Sequence, residues 1–257
     1  MKTKKEIVDD WLPRYTGTNL DEFGDLILLT NFNRYLDLFS KWYNVPIIGK
    51  DKAMPSVTNG RITLINFGMG SPNAATIMDL LSAIGPKAAL FLGKCGGLKK
   101  KCKVGDMIIP IAAIRGDGTS DDYFPERVPA LPAFNLQKVV STVILNHRKN
   151  YWTGTVYTTN RRVWEYDEQF KEHLRITRAM AIDMESSTLF MVGFANEIPT
   201  GALLLVSDQP MVGRGIKTQV SDKRVTEKYA EEHLHIGVDA MNDLIDKKLS
   251  VKHLRFD

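Results

Sequence analysis

Short apolar runs alternate with segments of helical period from residue 25 to the end of the chain, and this alternation restricts the fold more than any other feature. The runs DLILLT (25–30), RITLINF (61–67), KAALFLG (87–93), DMIIPIAAI (106–114), WTGTVYTT (152–159), TRAMAIDM (177–184) and GALLLVSD (201–208) read as strands. Residues 33–43, 74–85, 134–150 and 184–197 carry apolar side chains at helical spacing, and one long amphipathic helix is expected from about Ser221 to Lys248. Strands alternating with helices predict an α/β fold with a largely parallel sheet. The 257 residues fit one large domain, 1–257, with a short N-terminal extension over about 1–22. In such folds ligands sit beyond the carboxyl ends of the strands, so a site is sought there.

Composition removes several other classes. With 44% hydrophobic and 25% charged residues, the chain is not a disordered one. A net charge of +4 with both signs interspersed is mild, so no nucleic-acid partner is expected, and LKKKCK (98–103) reads as a solvated loop. Two cysteines, Cys95 and Cys102, do not make a disulfide framework, and no histidine pattern near them spells a metal site. No apolar run approaches the roughly 20 residues of a membrane span, and MKTKKEIVDDWLPRY lacks the apolar centre of a secretion signal. A cytoplasmic protein without a membrane partner is expected.

The strand ends hold small residues, carboxylates, cations and one ring. Gly68-Met69-Gly70 and Gly93-Lys94-Cys95-Gly96-Gly97 each follow a strand. Glycines let backbone N–H groups approach an anion or a sugar, and the first cluster leads into a helix N-terminus; either cluster alone is equally a tight turn. Arg34, just after the first strand, either grips a phosphate or lies exposed on a helix. Glu185, in IDMESS, suits the vicinal hydroxyls of a ribose or simply starts a helix, and Asp183 competes with it. Asp208 emerges from a core strand beside Ser207, where desolvation raises a carboxyl's pKa and suits it to general-acid work; the alternative is a turn aspartate. Trp164, after Arg161 and Arg162, stacks on a base or packs in the core, and Met69 and Met184 line a pocket or fill gaps.

Taken in order, GMGSPNAATI, LGKCGGL, IDMESS and VSDQP resemble the nucleoside phosphorylase and nucleosidase superfamily. Within it, LTNFNRY, TGTVYTTNRRVWE, AIDMESST and VSDQPMVGRGIK are most similar to the AMP nucleosidase family. The resemblance implies a three-layer α/β sandwich around a twisted mixed sheet. It implies hydrolysis of AMP by water to adenine and ribose 5-phosphate, with no cofactor and no metal. It also implies a homo-oligomer, with a hexamer favoured. Carried over residue by residue, it makes Asp208 the acid that protonates purine N7 and places Glu185 and Met184 at the ribose. It makes Arg34 and the GMG loop phosphate-binding elements. Lys94, Cys95, Gly96, Trp164, Asp183 and Ser207 complete the expected substrate-binding set. The chain departs from the phosphorylase pattern at Phe91 and Lys94, where an arginine and a serine are usual, and this favours water over orthophosphate as nucleophile. A purine nucleoside phosphorylase, a methylthioadenosine-type nucleosidase and a non-catalytic nucleotide sensor are the alternatives. Arg34, Lys94, Arg161, Arg162, Arg214 and Lys217 are the cations expected to select a 5′-phosphate.

Overall fold

The computed structural model describes residues 2–213 and 215–246. In chain order its elements are α1 (Lys4–Thr16), β1 (Leu26–Thr30), α2 (Asn33–Tyr43), β2 (Ser56–Thr58), β3 (Ile62–Asn66), α3 (Ser71–Leu81), β4 (Ala88–Gly97) and β5 (Met107–Gly116). They continue with α4 (Phe134–Asn146), β6 (Tyr151–Thr159), α5 (Glu168–Thr177), β7 (Ala181–Asp183), α6 (Ser186–Ala195), β8 (Thr200–Asp208) and α7 (Gln219–Asp246). Local chemistry sets several ends. Thr3 and Glu6 form a capping box at the start of α1, and Gly17 closes it in the left-handed region. Asp167 caps α5 by accepting from the Phe170 N–H.

The eight strands form one mixed sheet in the order β2-β3-β1-β4-β7-β6-β5-β8. Pairs β1–β3, β1–β4, β4–β8, β5–β6 and β6–β7 are parallel; β2–β3, β4–β7 and β5–β8 are antiparallel. Because β4 also pairs with β8, the strands β4, β7, β6, β5 and β8 close on themselves as a small barrel, from which β1, β3 and β2 extend as an open sheet. The sheet is thus mixed where alternation alone predicts a largely parallel one. Every residue of β1 and β8 is buried, because both sheet faces are covered. One core, with Ile27, Leu29, Phe91 and Leu204, packs beneath residues of α1, α3 and α6. The other, with Leu28, Leu90, Leu92 and Leu203, packs beneath α2, α4 and α7. The result is the three-layer arrangement.

Several segments differ from the sequence expectations. The apolar run at 87–93 continues as a strand through Gly97, since Gly96 and Gly97 pair with Ile182 and Ala181 of β7. The second glycine cluster therefore lies inside a strand and not in a loop after it. The strand expected over 177–184 shrinks to Ala181–Asp183, because Thr177 ends a helix and Arg178, at φ of +56°, turns the chain before the strand begins. The expected N-terminal extension holds α1, which buries Val8 and Leu12 in the first core. The last helix begins at Gln219, and Lys248, its expected end, lies outside the described residues. No described helix is long and apolar enough to cross a membrane.

Candidate active site

At the carboxyl ends of β1, β4, β6, β7 and β8 the chain surrounds a cavity of about 270 Å3. Each strand delivers a side chain there for a local reason. The apolar run of β8 ends in Ser207 and Asp208, β7 ends in Asp183, and Met184 and Glu185 lead into α6. Lys94, Cys95 and Gly96 reach the cavity from β4, and Asn31 and Phe32 from the turn after β1. Met69 overhangs it from the glycine loop, and Trp164 closes it from the segment after β6.

Three carboxylates are buried here. Asp208 accepts a hydrogen bond on Oδ1 from Ser207 Oγ at 2.7 Å and has Lys217 Nζ at 3.9 Å. Burial pushes its carboxyl above the usual range, and the Lys217 charge pulls it partly back. Asp183 accepts from Thr158 Oγ1 at 2.7 Å on one oxygen and from the Ser186 N–H at 2.9 Å on the other. Both its oxygens are thus committed to holding β6 and the start of α6. Glu185 accepts from the Gly70 N–H at 2.8 Å, and its neighbour Asp183 adds to the effect of burial in pushing its carboxyl up. Gly70 has φ of +93°, a conformation that a side chain would strain. That conformation aims its N–H at Glu185, while the Gly68 N–H goes to Asn66 Oδ1 at 3.0 Å. The glycine loop therefore spends these two donors inside the protein, with Gly68 and Gly70 set behind the residues that line the cavity.

The cations are not equivalent. Lys94 Nζ donates to Asp222 Oδ1 at 3.0 Å and to Thr226 Oγ1 at 2.7 Å, and lies 4.3 Å from the centre of the Phe32 ring. Its side chain is only 2% exposed, and burial lowers its pKa. Lys217 sits between Asp222 at 3.7 Å and Asp208 at 3.9 Å. Arg162 lines the cavity with Glu165 at 3.6 Å, and Arg161 pairs with Asp167 at 2.9 Å. Arg34 is exposed on the first turn of α2 and does not line the cavity. Arg214 lies outside the described residues. Phe91 is fully buried against Phe67, facing away from this site into the first core.

Trp164 packs as a core residue and also lines the cavity. It is 4% exposed and packs edge-on to Phe170 at 5.5 Å. Ser207 does not line the cavity; it holds Asp208 from behind. Sequence reasoning placed Asn31 and Thr159 at strand ends without giving either a role, and did not single out Glu165 or Asp222. Asp222 arrives on a helix 14 positions after Asp208 and carried no signal in the sequence.

Known proteins share this architecture. A solved AMP nucleosidase from Bacteroides thetaiotaomicron VPI-5482 is 57% identical, with a TM-score of 0.86 over 96% of this chain and 100% of that one. AMP nucleosidase of Escherichia coli (strain K12) is 31% identical over 277 aligned positions, covering 90% of this chain. The chain spans a little over half, 57%, of that protein's length. Guanosine phosphorylase of Halorubrum lacusprofundi is 28% identical, covering 71% of this chain and 76% of its own. Residues 42–241 match the Phosphorylase superfamily, and the chain belongs to it.

Proposed function

We propose that this chain is an N-glycosyl hydrolase that cleaves AMP with water to adenine and ribose 5-phosphate. The observation that carries the reading is one cavity lined by two buried carboxyl groups, Asp208 and Glu185, both pushed above the usual carboxyl range by burial. Adenine leaves poorly as an anion. As the C1′–N9 bond breaks, its electron pair passes into the purine and Asp208 delivers a proton to N7, so that neutral adenine departs. The ribose gains oxocarbenium character, which the carboxylate of Glu185 stabilises from the hydroxyl side. Water adds its oxygen to C1′ from the opposite face and loses a proton to solvent, from which Asp208 is reprotonated. Phe91, buried in the core where a phosphorylase has a cation, supports water as the nucleophile. The cations Lys217 and Arg162 at the cavity support selection of a nucleotide over a nucleoside.

A homo-oligomer, with a hexamer expected, belongs to the same proposal. The deciding experiment incubates purified protein with AMP, adenosine and methylthioadenosine, with and without orthophosphate. Adenine and ribose 5-phosphate should form from AMP in phosphate-free buffer, with kcat/KM at least about a hundredfold above that for adenosine. Strict dependence on phosphate, with a sugar 1-phosphate as product, overturns the hydrolytic reading; equal use of adenosine overturns the nucleotide reading.

A further inference from the structure

Glu165 lines the cavity and has no part in the proposed chemistry. It follows Trp164 in the segment between β6 and α5. One carboxylate oxygen, Oε2, accepts from the Trp164 N–H at 3.0 Å. The other, Oε1, faces Arg162 Nη1 at 3.6 Å, beyond hydrogen-bond reach, and accepts no hydrogen bond among the described residues. The Glu165 side chain is 15% exposed against 53% for Arg162, so the carboxylate is the deeper member of the pair and is still open to a ligand. Packing sets it on the side of the cavity where Asp208 stands. Trp164 shares an apolar cluster with Ile182 and Met211, and Met211 closely follows Asp208 in the chain. Burial raises the Asp208 carboxyl, and the charge of Glu165 adds to that rise, as a carboxylate close by does.

We infer that Glu165 accepts a hydrogen bond from the 6-amino group of the purine held at Asp208, and so selects 6-aminopurine over 6-oxopurine nucleotides. The inference rests on the proposed reading, in which Asp208 donates to N7. The edge of adenine that carries N7 carries the 6-amino group beside it, so an acceptor and a donor stand next to each other. A 6-oxopurine presents two acceptors on the same edge, N7 and O6. Asp208 donates to N7 in either case and does not separate the two. A second carboxylate next to it does, because it can only accept from an amino group and repels a carbonyl oxygen. Arg162 lies too far from Oε1 to cancel that preference. A site built to meet an N–H rejects the analogue that lacks it.

The test compares AMP, IMP and purine riboside 5′-monophosphate, which has no 6-substituent, on the wild-type chain and on Glu165→Gln. The amide keeps an oxygen for the Trp164 N–H and makes the other end a donor. The wild type should favour AMP over IMP by about tenfold or more. In Glu165→Gln, kcat/KM for AMP should fall by about tenfold, IMP should be cleaved faster than by the wild type, and the unsubstituted purine should be cleaved as before. Should the glutamine variant fold poorly, Glu165→Ala should show the same fall on AMP and none on the unsubstituted purine. An equal change on all three substrates, as a residue that only shaped the loop would give, or an unchanged ratio of AMP to IMP, overturns the assignment. Calorimetric titration with the same three nucleotides reads the preference without turnover. A chain that binds AMP over IMP through Glu165 yet releases no adenine would sink the proposed reaction and leave this assignment standing. Cleavage of AMP with a preference that survives both substitutions would do the reverse.

Discussion

Replacing Asp208 by asparagine separates proton donation from shape. The amide keeps an oxygen for the hydrogen bond that Ser207 Oγ donates at 2.7 Å, but it has no proton to give to a leaving purine. General-acid catalysis contributes about 10²–10⁴-fold, which is about 3–5 kcal/mol of transition-state stabilisation at ~1.4 kcal/mol per tenfold. The kcat for AMP should fall by that factor in Asp208→Asn. The pH profile follows from the direction of the carboxyl's shift. Burial raises it, and Lys217 at 3.9 Å only partly offsets this. A donor works while protonated, so the wild-type rate should decline as pH rises through this raised value, and the asparagine variant should lack that limb. The same group has a linked effect on stability. Its folded value lies above its unfolded one, so its stabilising contribution is present below the unfolded value and is lost as pH rises through the folded one. At neutral pH the variant should therefore melt at or above the wild-type temperature. Adenine release across a pH series, with thermal melts of both proteins, measures all three quantities. A near-normal kcat, or an unchanged pH limb, would refute the assignment of Asp208 as donor.

Lys94→Met should lower stability by about 1–3 kcal/mol in urea unfolding, since Asp222 and Thr226 lose a buried donor. The loss stays below that of a fully buried pair because the Asp222 side chain is 39% exposed; an unchanged midpoint would mean that the pair is inert. His233, buried on α7, bonds Tyr35 Oη at 2.7 Å and the Leu203 carbonyl at 3.0 Å, and burial lowers its pKa to about 4. The unfolded chain then binds the proton first, so stability should be full above about pH 6.5 and should drop by roughly 3 kcal/mol as pH falls to about 4. Denaturant unfolding of wild type and His233→Gln over that range checks it: equal slopes in the two proteins would assign the acid sensitivity to other groups.

The sequence by itself determined the layers and the kind of chemistry available. Strands such as 201–208 were legible because burial on both faces demands unbroken apolar runs, and α2 because one face alone is apolar. Asp208 and Glu185 were legible because a carboxylate that ends a buried strand or opens a buried helix breaks the apolar pattern at a visible place. Elements with weaker local signals were not. The strand β2 is three residues long, and α5 is mostly exposed, burying only Leu174 fully. Pairing between distant segments was equally invisible. The closure of β4 on β8 and the use of Gly96 and Gly97 inside β4 depend on backbone partners about 85 to 112 positions away. Only the tertiary structure decided which polar groups are free to meet a ligand. It commits Asp183 to Thr158 and Ser186, ties Lys94 to Asp222, turns the Gly70 N–H onto Glu185, and leaves Arg34 outside the cavity. The physical reason is that residue type sets what a group can donate or accept, whereas burial and the nearest partner in space set whether that capacity remains available.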